Sequence, residues 1–478
     1  MSVVVVNLPD DAPITKLGEF AGTAISYSKA WYNYFPNADI GLENMASLTK
    51  ITRPTDTAQL VLRLSLLATI ALFNILFLSA ATASSSHEMT GRISAFGAYN
   101  DSFDSWLVGS WGRFETGSDY SDHNIDYFNE LQFQYSYEND LMGLDLHVQY
   151  RNNSDNSGQD FGLVELKAFT HWELDKDKLL TLTAGQFFLP TTMENIDSFW
   201  ESPYTLTFSS INSWIATEFR PIGIDMGFET ITDAGNRFSH ALTLFGGNDS
   251  MGTQLAWQGW MYHHRRSVSG EELPLPNLKA LGSGGAFAEQ ADFGSTSFGK
   301  DLDNRIGYAL RSSYSIPDEL ILQATWVDNR GDRNLHSGEY SWDTRFAMAG
   351  MEWHPLIGWV VAAEFMQGST GMGAESGPHV DVDFWSGYLL ASYNTLQWRY
   401  TLRLDRFLNE DRDHTPYDLN EDSGESYTFA AFWEYPNSNI RFGLEAIHTV
   451  TKRLRVTPKG FFKDGNASQY LLMASYTF

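Results

Sequence analysis

The sequence predicts an all-β chain closed into an antiparallel, membrane-spanning barrel, and three observations predict it. Segments along most of its 478 residues alternate apolar and polar side chains with a period of two. The connections between them alternate between turns of a few residues and long loops. The chain ends on an aromatic residue, Phe478, that falls on the apolar face of its last segment. Successive side chains of a strand point to opposite faces, so such segments side by side make a polar interior inside an apolar wall. No sheet edge can stay unpaired in hydrocarbon, so the sheet has to close.

Composition removes the competing classes. There are 32 Phe, 22 Tyr and 15 Trp, and a net charge of −27 although only 19% of residues are charged. So many aromatics exclude a disordered acidic chain. The acidic balance argues against a nucleic-acid partner, which needs basic patches. Without cysteine there are no disulfides, thiolate metal sites or cysteine nucleophiles. A mean hydropathy of −0.28 is too low for a bundle of membrane helices.

The last segment is the clearest strand. Tyr470, Leu472, Ala474, Tyr476 and Phe478 share one face; Gln469, Ser475 and Thr477 share the other, which Leu471 and Met473 blur. Comparable alternation is found at 144–151, 305–316, 397–405 and 426–435. Strands are expected near 105–115, 127–138, 142–151, 161–173, 178–187, 221–230, 238–248, 303–316, 319–329, 341–353, 356–367, 381–394, 396–407, 425–435, 438–450 and 467–478. That makes sixteen, with both chain ends on the side of the short turns. Residues 90–100 read as a further strand without a place, which leaves an eighteen-stranded barrel open.

One segment, Leu64 to Leu78, is nearly continuously apolar, follows Arg53 and Arg63, and ends in Ala81-Thr82-Ala83. It is too short to span a bilayer and reads as a secretory signal peptide over residues 45–83, cleaved near Ala83-Ser84. Residues 1–44 would precede a better start at Met45, and residues 84–104 would form an N-terminal segment or extra strand before a barrel over 105–478.

The third long connection, residues 188–220, is rich in aromatics, which suits a packed inward position. Glu194, Asp197, Glu201 and Glu218, with Arg220 at its exit, are the expected constriction residues. Charge on a lipid face costs several kcal/mol near mid-membrane, so Arg151, Lys167, Arg305, Arg311, Arg345, Arg399, Arg403 and Arg441 are expected on the lumen wall. They either face the acidic loop across the pore or pair with Asp145, Glu165, Asp405, Glu434 and Glu445 to brace the wall. The acids of residues 408–424 read as a solvated outer loop that bridges lipopolysaccharide through divalent cations. Asp418-Leu-Asn420-Glu-Asp422-Ser-Gly424 lacks the glycine and the twelfth-position Glu of an EF-hand. His263 and His264 read as exposed loop residues. No G-x-S-x-G or H-E-x-x-H spacing occurs, and no catalytic, cofactor or metal residue is expected.

The terminal Phe478 strand resembles that of Gram-negative outer-membrane barrels, where the assembly machinery reads it. Leu182-Thr-Ala-Gly-Gln-Phe-Phe-Leu-Pro190, followed by Arg220-Pro-Ile-Gly-Ile224, resembles the porin superfamily that includes the phosphate-selective O and P porins. The resemblance implies a passive, trimeric, sixteen-stranded channel for small hydrophilic solutes, with the third loop folded inward. Phosphate-selective members line their pore with lysine and arginine; residues 188–220 contain no lysine and several acids. Two alternatives remain: a substrate-specific uptake channel or scaffold for a periplasmic partner, and a barrel hydrolase using His263, His264 or His379.

Overall fold

The computed structural model describes residues 85–117, 124–152, 159–291 and 295–478. The expected leader and N-terminal extension lie outside them. Sixteen strands form the barrel: β1 (Ser85–Asn100), β2 (Asn124–Asn139), β3 (Met142–Asn152), β4 (Phe161–Asp175), β5 (Lys178–Gln186), β6 (Ile222–Ile231), β7 (Arg237–Gly246), β8 (Gly307–Ile316), β9 (Leu320–Asp328), β10 (Asp343–Trp353), β11 (Trp359–Met372), β12 (Val380–Asn394), β13 (Trp398–Asp411), β14 (Asp422–Glu434), β15 (Ile440–Thr457) and β16 (Ala467–Thr477). Each pairs antiparallel with the next, and β1 closes on β16. A short seventeenth strand, Gly460–Lys463, extends the end of β15 without joining the circle. No described helix is long and apolar enough to cross a membrane.

The first strand is a correction. Residues 105–115 do not enter the sheet; Trp106–Val108 form a 3-10 turn that ends at left-handed Gly109. Trp106 and Phe114 have no exposed surface. A segment packed by most of its residues, with only Val108 exposed, carries apolar residues without needing a period of two, and such a pattern resembles that of a strand. The segment at 90–100 is the real first strand, so the barrel begins at Ser85 and sixteen is the count.

Connections after even-numbered strands are short turns, such as 140–141 and 176–177; those after odd-numbered strands run up to 247–306. Outward side chains are apolar and exposed, as in Leu402, Leu404 and Leu472. Trp398, Trp433 and Phe442 stack into part of an aromatic belt near the short-turn end, with centroids 5.9 and 5.6 Å apart. At the seam, Gly91 and Phe478 exchange two backbone hydrogen bonds of 2.8 Å. The Phe478 ring lies over Gly91, where a Cβ would fall 2.4 Å from it. Leu471 and Met473 point inward and pack with Leu206, which explains the blurred polar face of the last strand.

Candidate functional site

The connection from β5 to β6 leaves the wall at Gly185, where φ is +143° and a Cβ would lie 2.1 Å from the Leu166 carbonyl oxygen. From there the chain runs against the inward faces of distant strands. Glu445 of β15 accepts from the Leu206 and Thr207 amides at 2.6 and 3.1 Å. Asp405 of β13 accepts from the Ser210 amide at 3.2 Å, and Glu364 of β11 from the Met193 amide at 2.9 Å. Helix α1 (Ser210–Glu218) is capped by Ser209 and wholly buried. Wall carboxylates therefore hold the loop by charge-assisted bonds to its backbone.

Three of the expected constriction residues act as buried fasteners and do not line a pore. Glu194 has no exposed surface and accepts from Ser209 N at 2.8 Å, Asn212 Nδ2 at 2.9 Å and Arg403 Nη1 at 2.5 Å. Glu218 accepts from Trp214 Nε1 at 2.6 Å and Gln254 N at 2.9 Å, and burial pushes its carboxyl up to about 7. Arg220 is buried between the Phe188 and Phe298 rings, 4.9 and 4.5 Å away, and burial brings it down to about 9. Sequence pattern separates charged from neutral residues, but it does not separate a charge facing water from one facing backbone amides.

Asp197 and Glu201 are different. They flank a tight turn in which Asp197 N donates to Glu201 O at 3.0 Å. Inside it Phe199 and Trp200 both take positive φ, 63° and 55°, a costly conformation for aromatic residues. Phe199 is buried under Arg92, and Trp200 stacks on Phe188 at 3.9 Å. The turn directs both carboxylates to inward bases. Glu201 binds Arg92 and lies 3.7 Å from Arg266; Asp197 lies 3.5 Å from Arg441, which also binds Glu434. The side chains of Asp197, Glu201, Arg441 and Glu434 stay 29%, 22%, 27% and 48% exposed. Arg399 lies over the Tyr204 ring at 5.1 Å, and Tyr204 donates to Glu352 at 3.0 Å. These residues make a band of mixed charge on the short-turn side of the loop. Arg92 and Glu352 were not expected there; Arg92 was hidden by the misplacement of the first strand, on whose polar face it sits.

The expected basic wall divides. Arg399 and Arg441 belong to the band. Arg403 and Arg151 are fully buried, Arg403 with Glu194 and Asp405, Arg151 with Glu115 and Glu130. Arg311 pairs with Asp225 at 2.6 Å and Lys167 with Asp145 at 3.5 Å, both inward. Two expectations fail. Arg345 points outward, in register parity with Ala347, Ala349 and Trp353, and bonds Ser369 near the long-loop margin. There its long side chain reaches polar surroundings, so the lipid-face penalty does not force it inward. Arg305 precedes β8 at the loop end, exposed, donating to the Arg330 carbonyl.

The long-loop half of the barrel is filled. Residues 260–268 run between the first and third long connections: Tyr262 N donates to Arg113 O at 2.9 Å, Phe208 N to His263 O at 2.8 Å and Ser267 N to Ala216 O at 3.0 Å. Arg113 fixes the assembly to the wall through Asp422 at 2.5 Å and Asp464 at 2.6 Å. His263 and His264 are therefore buried, against expectation, and burial holds both imidazoles well below their ordinary value. His264 sits with Phe96, Arg151 and Glu115; His263 sits between Trp106 and Phe208. His379 bonds the Gly377 carbonyl at 2.8 Å and lies 3.5 Å from Asp381. The 408–424 stretch is also less solvated than expected: Asp418 and Asp422 are 2% and 1% exposed.

No family model and no curated relative matches the sequence. Solved structures similar in chain path include the outer membrane protein OmpT of Vibrio cholerae in its trimer form, at 8% identity and TM-score 0.45, covering 83% of this chain and 100% of that one. The anion-selective porin from Comamonas acidovorans matches at 12% identity and TM-score 0.46, covering 83% and 100%. The outer membrane channel DcaP of Acinetobacter baumannii matches at 9% and 0.45, covering 83% and 98%.

Proposed function

We propose that this chain is an outer-membrane channel that passes small hydrophilic solutes or ions passively, along a narrow path filtered by the mixed-charge band. The observation that carries the reading is the band itself. Arg399 and Arg441 lie with Asp197, Glu201 and Glu434 on the lumen side of a closed barrel and keep water-accessible surface, while Arg92, paired with Glu201, and neighbouring charges are buried. Accessible charges of both signs along a narrow, low-dielectric path set ion preference and offer partners to polar solutes.

In this reading the long loops are extracellular, both barrel ends are periplasmic, and a leader is removed near Ala83-Ser84. The assembly machinery reads the strand ending at Phe478, and the working form is a homotrimer surrounded by lipid and lipopolysaccharide. Conduction uses no cofactor, and the chain is not an enzyme. A phosphate ladder is not part of the proposal, because Arg151, Arg220 and Arg403 are committed to buried contacts. Filling of the long-loop half by residues 106–117 and 247–291 favours a substrate-specific uptake channel over a wide general pore. Planar-bilayer recording of the purified protein tests this. Small, stable single-channel steps are expected; silence from correctly folded protein overturns the reading.

A further inference from the structure

Gly227 of β6, Gly350 of β10 and Gly443 of β15 each sit inside a barrel strand and face the lumen. Glycine weakens a strand and packs nothing, so where it interrupts no ladder it marks a place where something approaches the backbone closely. At Gly350 and Gly443 that something is the third long connection. A Cβ at Gly350 would lie 3.0 Å from the Met193 side chain, and one at Gly443 would lie 3.0 Å from Leu206. Gly227 is different. Its pairing is regular on both sides, with Thr181 and Ala241 directly opposite, so it makes no bulge. No described atom lies within 4 Å of where its Cβ would sit.

The surroundings of Gly227 are open as well. Thr181, Thr183, Ser239, Ala241, Arg311 and Ser313, inward on β5, β7 and β8, are all partly exposed. On the far wall the inward side chains are covered: Ser386 and Leu390 have no exposed surface, and Ser392 and Thr401 are 1% exposed. The cause is the lean of the third connection, whose backbone is held to β11, β13 and β15 by Glu364, Asp405 and Glu445. It crowds that wall and leaves the inner face of β5–β8 free. The charges on the free wall are paired, Asp225 with Arg311 at 2.6 Å and Glu229 with Arg237 at 3.3 Å. What the wall offers is therefore chiefly hydroxyl groups, which both donate and accept.

We infer that solutes cross the short-turn half of the barrel off-centre, along the inner face of β5–β8, and that Gly227 determines the size that passes. This rests on the channel reading and adds to it. The mixed-charge band ranks solutes by charge, and the clearance over Gly227 ranks them by bulk, because any side chain there projects into the route.

The chain has no cysteine, so single-cysteine variants report one position each. Gly227→Cys and, as a covered reference, Ser392→Cys are treated as folded barrels with a trimethylammonium methanethiosulfonate reagent and followed by intact mass. Gly227→Cys should react at least tenfold faster than Ser392→Cys. In planar bilayers the reagent should lower the single-channel conductance of Gly227→Cys at least twofold. Should Gly227→Cys fail to fold, Ser313→Cys on the same wall should show the same two responses. Equal reactivity at the two walls, or a Gly227→Cys channel that reacts fully and conducts as before, would overturn the off-centre route while the channel reading stands. Silence of the unaltered protein would overturn both.

Discussion

Arg403 shows what a single residue does here. Its guanidinium bonds Glu194, Asp405, Thr205 and the carbonyl oxygens of Thr207 and Phe208, with no surface exposed. Removing one partner of a buried pair strands the other charge, at roughly 3–5 kcal/mol. Arg403→Met should therefore lower stability to urea by about that amount, whereas Arg441→Met, at a partly exposed site, should cost about 1 kcal/mol or less and change ion preference instead. Glu218 gives a pH signature. Its folded value of about 7 lies above the ordinary 4.5, so the folded state holds an extra proton between them. Its contribution is fully present below about 4.5 and is lost as pH rises through about 7. Unfolding between pH 5 and 8 should show stability falling with pH, and Glu218→Gln should flatten that slope. Asp249, also raised to about 7, preserves part of it. None of these roles is legible in sequence, where Arg403 and Arg399 look alike on one strand face. Which of them reaches water depends on where residues 187–221 lie.

At the scale of elements, the strands were largely readable and the segments inside them were not. Fifteen of the sixteen strands fall where alternation puts them, because one face meets lipid and the other does not. Residues 260–268 are buried throughout and residues 105–115 on both flanks of an exposed Val108, so burial leaves no period of two to read. The seam between β1 and β16 depends on Gly91 leaving space for the Phe478 ring. Gly91→Val should reduce the fraction of heat-resistant, compact barrel on electrophoresis. Combining it with Phe478→Ala should give a smaller loss than the two single effects added together, since the clash disappears with the ring. Additive losses would mean that the ring and the glycine act separately.

For the whole molecule, the acidic surplus has three destinations. Some acids hold inward loops to the wall, as Glu445 and Glu364 do; some gather where β13 runs into its long connection, as Asp411 and Asp413 do; and a few remain accessible in the band. The composition alone could not divide them. The central claim is that the band of Asp197, Glu201, Arg92, Arg399 and Arg441 filters what crosses the barrel. The most direct test is the zero-current potential of single channels across a potassium chloride gradient, for the unaltered protein and for the double substitution Arg399→Glu with Arg441→Glu. The account predicts a shift toward cation preference in the variant with its barrel intact. An unchanged potential in a conducting, folded variant would contradict it.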